Sequence, residues 1–419
     1  MSQAARIPCK DTPLGQAMPS FHPALYNSSS EIGKGVFTSE DLPSGTRLVS
    51  CLHASAVTPA SCRGLLEAFS IPRDRLSDRQ VMAAVLVLLR SGQQRDALPN
   101  SELATVWIAY VDSLPQHIHT PLEFSAEERA LLQNTNLHGA LIDRENEWRA
   151  TLAALNSSTP LNIAWPDWLW ANSIISSRAF PSSLIDNDEI NATPILFPSV
   201  DSLNHNPTSK VLWLKETDRL TLVTEQDILG NTQCFNNYGP KSNEELLLGY
   251  GFVIPDNPAD LLAVKLGKPR IPPNSSRTLA DPTQLFQHLG IDTERHIILR
   301  DGILPVSLLA QMRFYLADEE EQASTAQKAT ESQNVQEVLG FVSWQNELSM
   351  LDQLGSMLEL KAEALGREVG LDEREEGSGK RARMNGAGQS EGEAIGPAVR
   401  RMVEIYRQGM PFVFEANIC

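Results

Sequence analysis

Apolar and polar residues follow two different spacings along this chain. Short apolar runs beside turn-forming residues predict strands at 32–49, 194–198, 211–214 and 219–224. In the first of these segments, Pro43-Ser44-Gly45 separates two apolar halves, which predicts a β-hairpin-like pair. The stretch from about 61 to 172 has helical spacing instead. A helical block is therefore expected between two β-rich parts.

Helix signals occur at five places. Residues 81–89 are apolar on nearly every side of a helix, which predicts burial. Ser125 followed by Glu128 is typical of a capping box, and the Trp-rich run 165–170 leads into another helix. After 251–258 a boundary is expected, and most of the remainder is predicted helical, including 305–316 and 398–406.

The composition limits the classes of protein and partner. The chain has 419 residues, of which 42% are hydrophobic, enough for one large or two medium domains. The chain has 52 acidic and 35 basic residues, which gives a net charge of −17. This charge argues against nucleic acid as the primary ligand and fits a basic protein substrate. The same acidity also fits a protein that is merely kept soluble by charge.

The sequence also bears on where the protein is located and on whether its cysteines form disulfides or bind a metal. No apolar run reaches the roughly 20 residues of a membrane span, and the polar start is unlike a secretory signal, so a cytoplasmic or nuclear protein is expected, without membrane. The five cysteines are scattered, which indicates neither disulfides nor a zinc site, and no metal is predicted. The Glu-, Arg- and Gly-rich segment 367–396 predicts a disordered loop, and Lys380-Arg381-Ala382-Arg383 within it is either a nuclear address or a solvated cluster.

Two separated motifs are the candidates for chemistry. The first is Asp201-Ser202-Leu203-Asn204-His205, and the second is Asn236-Asn237-Tyr238-Gly239, followed by a helix start at Ser242. A Tyr next to a Gly can supply a phenol and a close backbone approach in a narrow apolar channel. Such a channel would suit a reaction that needs alignment and exclusion of water more than acid–base groups.

These motifs, in this order, resemble the paired signature of SET-domain protein methyltransferases. Together with the Gly33-Lys34-Gly35 segment, the two motifs resemble one branch of this family. That branch contains plant Rubisco large-subunit lysine methyltransferase, fungal ribosomal lysine methyltransferases and the actin-histidine methyltransferase. The resemblance implies an α+β fold: a SET-type β-fold with a threaded (pseudoknot) C-terminal segment and a helical insertion, followed by an all-α C-terminal domain. The implied boundaries are 20–254 for the SET domain, with the insertion at about 60–172, and 255–419 for a helical substrate-binding domain.

The resemblance also implies roles for individual residues. The cofactor would be S-adenosyl-L-methionine, and Tyr238 would be catalytic by orienting the incoming nitrogen. Substrate-binding roles fall to Asp201, which would lie near the target channel, and to Tyr250, which would narrow that channel. Cofactor-binding roles fall to Gly33, Lys34, Gly35, Arg178, Asn204, His205 and Phe252.

The predicted function is S-adenosylmethionine-dependent protein-lysine N-methylation by a monomer, with an intracellular protein, such as a ribosomal protein, as the substrate. Two alternatives stay open. One is histidine methylation, because the motifs hardly distinguish the two nucleophiles. The other is a catalytically silent SET-like scaffold, because a fold does not guarantee an activity.

Overall fold

The structure, a computed structural model, describes residues 6–18, 20–30, 33–68, 76–91, 95, 102–267, 282–293, 295–366 and 395–409. The chain divides into two compact units. Unit 1 comprises Met1–Glu123, Ala140–Lys241 and Glu245–Phe252. Unit 2 comprises Phe124–Gly139, Ser242–Glu244 and Val253–Cys419.

The elements are numbered in chain order. The strands are β1 (Ile7–Pro8), β2 (Leu25–Ser30), β3 (Gly33–Thr38), β4 (Arg47–Leu52), β5 (Phe180–Pro181), β6 (Pro194–Ile195), β7 (Asn204–His205), β8 (Val211–Lys215), β9 (Arg219–Thr224), β10 (Gln233–Asn236), β11 (Leu261–Val264) and β12 (His296–Leu299). The helices are α1 (Pro13–Ala17), α2 (Pro59–Ala68), α3 (Asp78–Arg90), α4 (Glu102–Ser113), α5 (Ala126–Ala130), α6 (Asn136–Ser158), α7 (Trp165–Arg178), α8 (Ser183–Asp186), α9 (Asn243–Tyr250), α10 (Thr283–His288), α11 (Val306–Leu316), α12 (Glu319–Glu331), α13 (Val335–Leu339), α14 (Trp344–Gly366) and α15 (Pro397–Gly409).

Unit 1 contains a five-stranded sheet in the order β1-β2-β3-β10-β7, a three-stranded sheet in the order β4-β9-β8, and the short pair β5-β6. In the largest sheet β10 runs antiparallel to β3 and parallel to β7. The short element β7 is thus joined to the rest of the sheet through a strand that follows it by about thirty positions in the chain.

The predicted hairpin across Pro43-Ser44-Gly45 is wrong, although both of its strands exist. β3 pairs with β2 and β10, whereas β4 pairs with β9, so the two strands lie in different sheets. The physical reason is that β4 finds its partner far along the chain, where Cys51 pairs with Leu220. Local apolar patterns indicate that a strand forms but not which strand it pairs with.

The helical block is confirmed between β4 and β5. Ser77 and Gln80 form a capping box at the start of α3, whose residues 81–89 are all buried as predicted. The Ser125 and Glu128 capping box at α5 is confirmed as well. The prediction that a helix follows the Trp-rich run is confirmed by α7.

Unit 2 is mostly helical, as predicted for the C-terminal region. The prediction of an all-α domain needs one correction, because β11 and β12 pair antiparallel from Leu261–Leu299 to Val264–His296. These four-residue apolar runs carry no period that separates a strand from a helix. Part of the core of this unit is a cluster of Phe286, Leu289, Ile291, Ala310, Phe314, Ala329, Val338 and Leu339.

Other predictions for this region have different outcomes. The helices predicted at 305–316 and 398–406 are confirmed by α11 and α15. The loop predicted at 367–396 and its basic cluster lie outside the described residues, apart from positions 395 and 396. Within the described ranges, none of the helices combines the length and apolarity needed to cross a bilayer.

Candidate active site

The two sequence motifs lie side by side in unit 1. Strand β7 runs parallel to β10, with Asn204 opposite Phe235 and His205 opposite Asn236. Just beyond the strand, the Asn206 amide donates to the Asn236 carbonyl at 2.9 Å. Backbone pairing therefore brings the segment of the first motif against the segment that leads into Tyr238.

Tyr238 is held at three points. Its hydroxyl donates to the Leu203 carbonyl at 2.8 Å, and its main-chain N–H donates to His205 Nδ1 at 3.1 Å. The Tyr238 and His205 rings stack with their centroids 4.9 Å apart and an angle of 15°. Because Nδ1 accepts a hydrogen bond, His205 is the neutral tautomer that carries its hydrogen on Nε2. Burial favours this form by lowering the pKa of His205.

Four rings form the aromatic cluster of the site: His205, Tyr238, Tyr250 and Phe252. Tyr238 stacks on Tyr250 at 5.4 Å, and Tyr250 meets Phe252 edge-on at 6.2 Å. His205 and Phe252 are 6.4 Å apart. Burial raises the pKa of both tyrosines, so both phenols are neutral at physiological pH. The cluster is an apolar wall with two hydroxyl groups.

A glycine allows the chain to turn at the far side of this cluster. Gly251 separates Tyr250 from Phe252 and has a φ of +78°. A Cβ at this position would lie 2.9 Å from the main-chain carbon of His119. Both the dihedral angle and the close approach therefore require glycine, which lets the two aromatic rings follow one another around the end of α9.

The Gly33-Lys34-Gly35 segment is tied to the same place. The side-chain amide of Asn204 donates to the Lys34 carbonyl at 3.0 Å, which links β3 to the first motif. A Cβ on Gly35 would lie 2.6 Å from Gln233 Nε2, so the glycine leaves room for that amide. Gln233 Nε2 is itself buried and has no hydrogen-bond partner among the described residues. The residues predicted to line the cofactor thus converge, although their predicted roles stay predictions.

Arg178 and Asp201 contact each other. Arg178 Nη1 donates to the Asp201 carbonyl at 2.9 Å and to its carboxylate at 3.2 Å. Arg178 was predicted to bind the cofactor, whereas the structure directs this nitrogen to a protein carboxylate. Asp201 is 8% exposed. Burial raises the pKa of its carboxyl group, and the charge of Arg178 opposes that effect.

Sequence reasoning missed residues that support the site. Tyr110 in α4 donates its hydroxyl to Asp201 Oδ2 at 2.6 Å. In the second motif, the Asn236 side-chain oxygen accepts from the Trp213 indole at 2.8 Å, and the Asn237 amide donates to the Pro207 carbonyl at 3.1 Å. The run of asparagines was a signal for side-chain to backbone bonding, but nothing in the local pattern paired Tyr110 with Asp201.

The chain is similar to known proteins in sequence over part of its length and in fold over most of it. No family model matches the chain. It is 38% identical over 166 residues to ribosomal lysine N-methyltransferase set10 of Schizosaccharomyces pombe, covering 38% of this chain and 30% of that protein. It is 29% identical over 239 residues to actin-histidine N-methyltransferase of Gallus gallus, covering 54% of this chain and 39% of that protein. The chain thus spans less than half the length of these two relatives.

Among solved structures, the SET domain of LSMT bound to lysine and AdoHcy matches with a TM-score of 0.69 and 17% identity, covering 96% of this chain and 88% of that one. This match confirms the predicted SET-type α+β fold, and the names of the sequence relatives match the branch that the sequence was predicted to resemble. The chain therefore has the fold of the LSMT SET domain and is related, over part of its length, to ribosomal lysine and actin-histidine N-methyltransferases.

Proposed function

We propose that this chain is an S-adenosylmethionine-dependent protein-lysine N-methyltransferase. The observation that carries the proposal is the position of Tyr238, whose phenol is anchored on Leu203 beside the Asn204 and His205 segment. The site of a methyltransferase needs such a fixed polar group within an apolar wall, because alignment of donor and acceptor supplies most of the catalysis.

The residues present fit the proposed cofactor. When bound, S-adenosylmethionine would supply a methyl group on a positively charged sulfur. The half-buried ring of Phe252 offers a surface for an adenine, and the backbone of Gly33 and Gly35 offers close approach. Beside Gly35, the buried Gln233 Nε2 is a donor that finds no partner in the part of the chain that the structure describes. These groups would hold the cofactor with Asn204 and His205.

The chain's own groups would prepare the target nitrogen. Because the Tyr238 hydroxyl donates its hydrogen bond to the Leu203 carbonyl, the lone pairs of the hydroxyl oxygen can accept a hydrogen bond from an N–H of the incoming amine. The aromatic cluster disfavours the ammonium form, which lowers the pKa of a lysine from its usual value of about 10.4. Arg178 offsets the charge of Asp201, which limits how far this carboxylate would stabilise an ammonium.

Lysine is favoured over histidine as the target. The relative with 38% identity is named a ribosomal lysine N-methyltransferase, while the actin-histidine enzyme is 29% identical. A ribosomal protein is accordingly the first candidate substrate, with action in the cytoplasm or the nucleus. A basic substrate also suits the net charge of −17.

We assign substrate binding to unit 2. An exposed apolar stripe runs along α14, with Trp344, Leu348 and Leu351 at 79%, 67% and 56% exposure. These positions are spaced i, i+4 and i+7, which puts them on one face of the helix. Exposed apolar side chains in a row are typical of protein contact sites.

The proposal is tested by titrating the purified chain with S-adenosylmethionine in a calorimeter and then supplying labelled cofactor with ribosomal proteins. Micromolar binding followed by label on a lysine is the expected result. Binding without transfer to any protein would support the silent scaffold instead, and label on histidine would support the alternative chemistry.

A further inference from the structure

Tyr110 reaches the candidate active site from the helical insertion. It lies in α4, is 1% exposed, and donates its hydroxyl to Asp201 Oδ2 at 2.6 Å. A buried phenol needs a partner, but that partner could have been any nearby carbonyl. Here it is a buried carboxylate two residues before Leu203, whose carbonyl holds the Tyr238 hydroxyl.

The short turn that contains Asp201 is held in an unusual conformation. It covers 200–202 and begins after Ser199, a buried non-glycine residue with a φ of +72°. The Ser199 hydroxyl oxygen is buried and has no partner within the described ranges. Such a backbone persists only where the surroundings impose it. Two residues after Ser199, Asp201 is held by Tyr110 from one helix and by Arg178 from another.

We infer that Tyr110 is a positioning residue for the proposed methyl transfer. Its hydroxyl fixes Asp201, and through it the turn from which the Leu203 carbonyl orients the Tyr238 phenol. The inference rests on the proposed function for its effect on turnover, whereas its effect on the turn itself is independent of that function.

Because charged groups surround Asp201, the effect of the Tyr110 hydroxyl on Asp201 should depend on pH. The ionisable groups that face the carboxylate are Tyr110 from α4, Arg178 from α7, Cys51 from β4 and the Tyr238 phenol. Burial raises the pKa of Asp201, while Arg178 and the Tyr110 hydroxyl act against burial. Removal of that hydroxyl should therefore raise the pKa further, so that Asp201 becomes protonated and loses its attraction for Arg178 at a higher pH.

The test compares Tyr110→Phe with wild type and with Trp107→Phe. Trp107 lies in the same helix and donates to the Ser55 carbonyl at 3.0 Å, so its variant loses a buried donor without touching Asp201. For Tyr110→Phe we expect unchanged cofactor affinity, a loss of about tenfold or more in kcat with little change in KM, and a loss that grows as pH falls. The Trp107→Phe variant should show no such pH dependence.

Two further measurements make the outcome decisive. Hydrogen–deuterium exchange of the peptide that covers 199–206 should be faster in Tyr110→Phe but not in Trp107→Phe. Combining Tyr110→Phe with Asp201→Asn should cost no more activity than the worse single variant, because both act through one contact. Unchanged exchange of the turn overturns the inference whether or not the chain is active. A wild type that transfers no methyl group overturns the proposed function alone.

Discussion

The Tyr238 hydroxyl donates to the Leu203 carbonyl at 2.8 Å, although the two residues are 35 positions apart in the chain. This bond orients the phenol, since a hydroxyl whose proton is committed to a carbonyl presents its lone pairs in a fixed direction. The pairing of β7 with β10 supplies the frame, and the His205 ring stacks against the tyrosine. The arrangement explains why the two motifs would act as one site.

Removal of this hydroxyl is expected to separate binding from chemistry. Tyr238→Phe keeps the stacking with His205 and Tyr250 but deletes the group that would orient the target nitrogen. We expect cofactor affinity to change by less than about twofold and turnover to fall by about 100-fold or more. Calorimetry and label incorporation measure the two quantities. Tyr406→Phe, in unit 2, is the control, and an equal loss of affinity and turnover in Tyr238→Phe would assign the residue a structural role.

Asn204 is expected to matter for cofactor affinity. Its amide donates to the Lys34 carbonyl and so ties the glycine segment to the first motif. Asn204→Ala should weaken S-adenosylmethionine binding by about tenfold, from the loss of one hydrogen bond and of the local order around it. Asn206→Ala is a matched control, because the Asn206 side chain accepts from its own turn at Thr208. Equal affinities of the two variants in calorimetry would contradict this role.

The pH dependence of turnover should identify the nucleophile. A lysine must lose a proton before it attacks, so turnover should rise by up to about tenfold per pH unit between pH 7 and the pKa of the bound amine. A histidine is already mostly neutral above its usual pKa of about 6.5, and its turnover should be flat there. Rates on matched lysine and histidine peptides, measured with saturating cofactor, distinguish the two. A flat profile on the physiological substrate would contradict lysine as the target.

The neutral state of His205 predicts weaker folding in acid. Burial lowers its pKa in the native protein, so between that value and the unfolded value of about 6.5 the unfolded chain binds more protons. The contribution of His205 is therefore fully present above pH 6.5 and is lost as pH falls through the native pKa. Chemical denaturation at pH 8 and at pH 5 measures the free energy of unfolding, and this free energy should fall less between the two pH values in His205→Asn than in wild type. An equal fall in the free energy of unfolding in the two proteins would show that groups other than His205 cause the loss of stability at low pH.

The stripe on α14 should affect a protein substrate but not a short peptide. Trp344→Ala removes the most exposed side chain of the stripe and should raise KM for the protein substrate by about fivefold to tenfold, while kcat on a lysine peptide stays constant. Gly355→Ala is the control on the same helix, because a Cβ there meets nothing within 4 Å. A KM that does not change would remove the support for substrate binding by this unit.

Local patterns in the sequence predicted elements better than partners. The caps at Ser77 and Ser125 are local, since an N-cap and its N3 residue are close in the chain, and the latter was found from sequence alone. The pairing of β4 with β9 is not local, and the hairpin prediction failed for that reason. Resemblance to a family brought Asn204, His205 and Tyr238 to one place, where the structure also puts them.

Within the site, the contacts of the charged groups were the least predictable. Arg178 was expected to contact a cofactor, yet its Nη1 is bonded to Asp201. Tyr110 lies 91 positions from Asp201 in the chain, and no spacing rule connects them. Buried polar groups must find partners, but which partner they find depends on the packing of α4 and α7 against the turn.

The most direct test of the account is the transfer of a labelled methyl group from S-adenosylmethionine by the purified chain to ribosomal proteins, with the modified residue located by mass spectrometry. The account predicts label on a lysine side chain with wild type and almost none with Tyr238→Phe at equal cofactor occupancy. Tight cofactor binding without label on any lysine, or equal labelling by the two proteins, would contradict it.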